Sequence, residues 1–182
     1  MQHKITVQPT PNPNALKFVL SEIVKSKDSA VYSRGSDTGK NPLAAAILAV
    51  PHVQEVYFAN RFITVTQDGS ADWDMLEATI QKIITTNIDA HDPDFDTSSP
   101  VKSASSIGGD LGKIEMILNS TIRPSLQHDG GDLQVVSLKG KVLTISYQGA
   151  CGCCPHAAMG TLYAIQNVLR DQYDPEIIVE MG

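Results

Sequence analysis

Val142-Leu-Thr-Ile-Ser-Tyr-Gln-Gly149 runs into Ala150-Cys151-Gly152-Cys153-Cys154-Pro155-His156, and this stretch holds every cysteine of the 182-residue chain. Its first half reads as a strand, and a helical pattern begins near Pro155. Proline suits the first helical turn, where its missing N–H costs nothing. Cys151 and Cys154 form a Cys-x-x-Cys pair with Cys153 between them. The thiols therefore precede a helix N-terminus, whose dipole and open N–H groups favour thiolate over thiol. Two thiolates on a short loop suit a soft metal centre or a redox pair.

Composition narrows the classes. Apolar residues make up 42% of the chain, enough for a packed core. Net charge is −6, and none of the segments 1–90, 91–106 and 107–182 is basic, at −1, −2 and −3, which argues against a protein that binds nucleic acid by neutralising phosphates. No run of about 18 apolar residues exists, so no membrane span is expected. The chain as given starts on Met1-Gln-His-Lys-Ile-Thr-Val, without a leader pattern, which suggests a bacterial-type cytoplasmic protein or the mature form of a mitochondrial matrix protein. Three clustered cysteines do not make a disulfide framework.

Upstream of the thiols the chain reads as two small α+β domains. Ile5–Gln8 and Ala15–Leu20 look like strands, separated by Pro9-Thr-Pro-Asn-Pro-Asn14, which predicts a stiff, extended loop. A short edge strand is placed at Ala30–Ser33. Asn41-Pro42 opens a short helix, and Val53–Phe58 with Phe62–Thr66 form a hairpin. Asp72 caps a helix from Trp73 to about Asn87, with Trp73 expected in the core. Residues 89–106 are rich in Asp, Ser and Pro and read as a linker. The second domain follows as α-β-β-α-β: a helix over 111–127 disturbed by Pro124, a turn at Asp129-Gly-Gly-Asp132, a hairpin through Gly140, the thiol loop, a helix from Pro155 and a strand over 176–180. The expected layout is domain 1–88, linker 89–106 and domain 107–182. Each domain should be a mostly antiparallel sheet of three or four strands covered by two helices. Arg123 is expected to pair with Asp129 or Asp132, and both glycines of the turn to adopt positive φ.

Four readings of the cysteines compete on this basis. They are buried structural thiols, a thioredoxin-like dithiol oxidoreductase, a zinc-binding interaction module and an iron–sulfur site. The oxidoreductase reading is weakened by the late position of the motif, after an antiparallel hairpin. Zinc needs four ligands, and although His156 or His128 could join the cysteines, neighbouring Cys153 and Cys154 do not easily bind one tetrahedral ion together with Cys151, which leaves open a zinc site of two Cys pairs shared by two subunits. An iron–sulfur cubane also needs about four thiolates, which two chains related by a twofold axis would supply.

The second domain resembles the NifU-like domain of the Nfu family of iron–sulfur cluster carriers. The residues that carry the likeness are Ile122-Arg-Pro124, Asp129-Gly-Gly-Asp132, Gly149-Ala-Cys151-x-x-Cys154-Pro155, Ile165–Leu169 and Pro175-Glu176. Thr10–Phe18, Asn41–Ala44, Phe62–Thr66 and Trp73 resemble the Nfu N-terminal domain. The resemblance implies a non-enzymatic carrier that takes a [4Fe-4S] cluster, or a [2Fe-2S] cluster, from assembly donors and passes it to apo iron–sulfur client proteins. It implies Cys151 and Cys154 as ligands and a homodimer bridged by the cluster. Cys153 departs from the family's usual glycine. It is read as an oxidisable neighbour rather than a spare ligand. His156, where serine is common, is a helix-start residue and a candidate hydrogen-bond donor to sulfur.

Overall fold

The structure, a computed structural model, describes residues 3–39, 41–95, 109–151 and 155–182. The chain divides into two compact units, one up to Ser98 and one from Ser99.

In the first unit the strands are β1 (Ile5–Pro9), β2 (Ala15–Leu20), β3 (Lys25–Ser33), β4 (Val53–Asn60) and β5 (Phe62–Gln67). The helices are α1 (Pro42–Leu48) and α2 (Trp73–Asn87). The strands form one antiparallel sheet in the order β1-β2-β5-β4-β3. The α+β class holds, with five strands where three or four were expected. The extra length lies in β3, which begins at Lys25. A bulge between Lys25 and Ser29, with Asp28 at φ 57°, breaks the alternation that would have marked this strand in the sequence. Phe18, Val56, Phe58, Ile63 and Val65 pack with Ile47 of α1 and with Ile80 and Ile84 of α2; all are fully buried. Each such side chain contributes about 1.5–3 kcal/mol by leaving water. The caps act as expected: Asn41 Oδ1 accepts from the Ala44 N–H at 3.0 Å, and Asp72 Oδ1 from the Asp74 N–H at 3.2 Å.

Two local expectations change. Residues 10–14 are a tight turn rather than a stiff, extended loop. The Asn12 carboxamide accepts from the Asn14 N–H at 3.0 Å, and the Ala15 N–H closes onto the Asn12 carbonyl at 3.0 Å. Trp73 sits at the edge of the core, partly buried, with its indole N–H donating to the Pro13 carbonyl at 2.9 Å. The start of the expected linker also packs. Ile88–Ala90 form a 3-10 turn, and Phe95 is buried against Tyr32 and Phe58. Residues 96–106 of that segment lie outside the described residues.

The second unit has α3 (Asp110–Thr121), α4 (Arg123–His128), β6 (Gly131–Lys139), β7 (Val142–Gly149), α5 (Pro155–Gln172) and β8 (Ile178–Met181). The single helix expected over 111–127 is interrupted at Ile122, immediately before Arg123-Pro124. Proline lacks the N–H that would continue the ladder and crowds the turn before it. β6 and β7 form an antiparallel hairpin; β7 and β8 pair in parallel, connected by α5. Ile114, Leu118, Leu143, Ile145, Ile165, Leu169 and Ile177 are fully buried in its core. Among the described residues no helix is long and apolar enough to cross a membrane.

Candidate metal centre

The thiol segment begins where β7 ends. Gly149 takes φ 65°, which a side chain would oppose, and turns the chain out of the strand. Ala150 is buried, and its N–H donates to the Gly130 carbonyl at 3.2 Å. Cys151 follows, half-buried. Helix α5 then starts at Pro155, as the sequence suggests. Cys153, Cys154 and the side chain of His156 lie outside the described residues. Among the described residues no three His, Cys, Asp or Glu side chains gather as a metal site.

The Asp129–Asp132 turn packs directly against Cys151. Gly131 pairs with Gly149 at the end of the β6–β7 ladder. A Cβ placed on Gly131 would lie 2.5 Å from the Cys151 Sγ, 2.8 Å from the Gln148 carbonyl oxygen and 2.9 Å from the Cys151 nitrogen. The two glycines therefore do different work. Gly130 takes positive φ, 82°, as expected of the turn, whereas Gly131 does not and instead leaves space. That second role has no local signature, because the residue it serves lies 20 positions on in the sequence.

Beneath the turn sits a network of charges. Asp132 is 1% exposed. Its carboxylate accepts from Arg123 Nη1 at 3.1 Å, from Gln127 Nε2 at 3.2 Å and from the Leu133 N–H at 2.7 Å. Arg123 also donates Nη2 to Glu115 Oε2 at 2.9 Å. The partner of Arg123 is thus Asp132; Asp129 instead lies 3.4 Å from the His128 ring. Glu115 and Gln127 were not singled out in the sequence, where neither belongs to a motif. A buried carboxylate with three donors and a bidentate-capable cation is a rigid anchor. It ties α3 and α4 to the first residues of β6, and so to the surface under Cys151.

One further group borders the thiol. Tyr147 is half-buried, and its hydroxyl is held far above the ordinary tyrosine value, first by burial and then by negative charge on Cys151. It stays a neutral donor at any physiological pH. Overall the site presents a thiol on a glycine-lined surface, with a second Cys-x-x-Cys thiol placed just before the helix by sequence.

Comparison with known proteins agrees with both halves of the chain. Residues 5–91 match the family described as scaffold protein Nfu/NifU N terminal, and residues 114–180 match the NifU-like domain. A human protein named NFU1 iron-sulfur cluster scaffold homolog, mitochondrial, is 31% identical over 176 residues, covering 95% of this chain and 69% of that protein. NifU-like protein 5, mitochondrial, of Arabidopsis thaliana is 30% identical over 172 residues, covering 91% of this chain and 62% of its own length. The Drosophila persimilis NFU1 homolog is 29% identical over 177 residues, and the chain spans 62% of its length. Among solved structures, the solution structure of a NifU-like protein from Saccharomyces cerevisiae is 24% identical, covers 53% of this chain and 87% of its own, and superposes with a TM-score of 0.47. A Staphylococcus aureus protein solved by crystallography is 27% identical over 44% of this chain and 98% of its own, with a TM-score of 0.40. Family membership rests on the two sequence matches in series and on the human relative: the chain belongs to the Nfu family of NifU-like scaffold proteins.

Proposed function

We propose that this protein is a non-enzymatic carrier that holds an iron–sulfur cluster on Cys151 and Cys154 and hands it to apo-proteins. The observation that carries this reading is the placement of Cys151: a half-buried thiol on a short loop between β7 and the proline-started α5, within a NifU-like domain. The relatives named as iron–sulfur cluster scaffolds give the cargo class. Residues 1–88 and 107–182 act as separate domains joined by the intervening segment.

One chain contributes two thiolates, and a cubane takes about four. Two copies about a twofold axis therefore complete a bridged [4Fe-4S] site, with [2Fe-2S] as the smaller cargo. Release is ligand exchange. Thiolates of an apo iron–sulfur client form bonds to iron as the Cys151 and Cys154 bonds break. No electron moves, the cluster keeps its charge state, and protons leave the incoming thiols as the departing thiolates take them up. Donors from cluster assembly load the site by the reverse exchange. The compartment is a reducing one, cytoplasmic in a bacterial setting; the named relatives are mitochondrial.

The test is anaerobic reconstitution with iron and sulfide, then metal and sulfide quantitation with an absorption spectrum on the gel-filtered product. About four irons and four sulfides per dimer, with a broad visible band, is the expected result. A colourless protein with stoichiometric zinc would assign a zinc module. A metal-free protein that turns over disulfide substrates would assign a dithiol oxidoreductase.

A further inference from the structure

The Gly131 backbone and the Cys151 sulfur occupy adjoining space. A Cβ on Gly131 would stand 2.5 Å from Sγ, far inside van der Waals contact, and 2.8–2.9 Å from two backbone atoms of the segment that carries the thiol. Gly131 does not have the positive φ that usually explains a glycine; that geometry belongs to Gly130 at 82° and Gly149 at 65°. The space is held from both sides. The Gly131–Gly149 pairing closes the strand ladder above it, and the Ala150 N–H bond to the Gly130 carbonyl, 3.2 Å, fastens the loop to the turn. The following residue, Asp132, is anchored by Arg123, Gln127 and its own neighbour's N–H, so the turn cannot simply retreat.

We propose that Gly131 is a positioning residue for Cys151: its missing side chain is the seat of the Sγ, so the glycine turn sets where this thiol points. This rests on Cys151 being a cluster ligand, and deepens that reading. A thiol seated against rigid backbone has few alternative positions. Two such thiols from two copies then meet one cluster with less conformational freedom to lose. A methyl group at position 131 would drive the sulfur out of its seat. Interiors are packed too closely to absorb such a contact without displacement.

The test is a double-mutant cycle on the full-length apo-protein, combining Gly131→Ala with Cys151→Ala and following urea unfolding by circular dichroism. A seat for sulfur requires coupling: Gly131→Ala must cost less stability when the sulfur is absent, while the part due to the Gln148 carbonyl and the Cys151 nitrogen stays in both backgrounds. If Gly131→Ala costs as much in the Cys151→Ala background as in the parent chain, the glycine serves only the backbone and the proposal is overturned. Where Gly131→Ala does not fold in buffer, the same cycle is read in a sucrose concentration that restores folding, and zero coupling there overturns the proposal. A second readout is the rate of Cys151 alkylation by iodoacetamide in a Cys153→Ser, Cys154→Ser background. Gly131→Ala should raise it about tenfold, by expelling the thiol from its seat. Gly140→Ala, at φ 61° with open space around it, is the control for general destabilisation of the same hairpin and should leave the rate unchanged. Equal rates in all three chains would overturn the proposal. Finally, reconstituted Gly131→Ala should retain severalfold less iron and sulfide than Gly140→Ala, and equal retention would overturn the positioning role. A parent chain that binds no cluster would sink the carrier reading and leave the apo-state coupling standing.

Discussion

Arg123 and Asp132 meet at 3.1 Å, with the Asp132 side chain 2% exposed and the Arg123 side chain 20% exposed. The same guanidinium reaches Glu115 at 2.9 Å. The arginine thus bridges a carboxylate on α3 and a carboxylate at the mouth of β6, under the thiol loop. Removing one partner of a buried pair leaves the other charge uncompensated, which costs more than the pair contributes. Arg123→Ala should destabilise the second unit by about 3 kcal/mol, the low end for a buried pair because the arginine side chain is partly exposed. Asp132→Asn, which keeps the shape and one acceptor, should cost clearly less. Urea titration followed by circular dichroism reads both, and equal, negligible losses would show that the network is not structural.

The ligand assignment predicts an uneven cysteine series. Cys151→Ala and Cys154→Ala should each abolish cluster retention while the apo-chain keeps its fold, and Cys153→Ala should retain the cluster. Iron and sulfide analysis after anaerobic gel filtration checks this. Full occupancy in either of the first two variants would remove that residue from the ligand set.

His3 lies between Glu22 Oε1 and Asp89 Oδ1, each at 3.0 Å. The hydrogen bond to Glu22, followed by that to Asp89, raises its pKa above 6.5. A raised histidine stabilises the fold fully below its unfolded value, and that contribution disappears as pH climbs through the folded value. Glu22 has the opposite sign: its pKa is lowered from 4.5, first by the bond to His3, so its contribution fades as pH falls through the lowered value. The first unit should therefore lose stability as pH rises from 6.5 through the raised folded value of His3, and His3→Gln should flatten that slope. Trp73, the single tryptophan of the chain, lies in this unit and reports its melting by fluorescence. An unchanged slope in His3→Gln would rule the cluster out as the cause.

Trp73 also closes the turn between β1 and β2 through its 2.9 Å bond to the Pro13 carbonyl. Trp73→Phe keeps most of the packing and loses the donor. It should cost about 1 kcal/mol, the usual net worth of one such bond. Thermal melts by circular dichroism would measure it, and a loss near zero would mean that water replaces the indole without penalty.

Residues 96–106 combine serines with Asp96, Pro100 and Lys102 and lack large aromatic side chains. Limited proteolysis should cut there and leave two resistant fragments, with the first retaining Phe95. Early cuts on the N-terminal side of Phe95 would contradict its packing against Tyr32 and Phe58.

The helices and most strands could be read from local pattern, because their causes are local. Asn41-Pro42 and Asp72 are caps whose hydrogen bonds span two or three residues, and the apolar spacing of α2 marks its buried stripe. The borders of the thiol segment were legible for the same reason: the strand that ends at Gly149 and the helix that starts at Pro155 adjoin it along the chain. By itself, then, the sequence determined the α+β class, most of the elements and their order, the spacing of the cysteines, and the family. What it left open involves residues distant along the chain. The order β1-β2-β5-β4-β3, the return of Phe95 onto the first sheet, the choice of Asp132 over Asp129 by Arg123, and the seat of Cys151 on Gly131 were decided only in the tertiary structure. Each depends on strand register and on which faces meet across tens of residues. Side-chain chemistry restricts such meetings, but only the packed chain selects one of them.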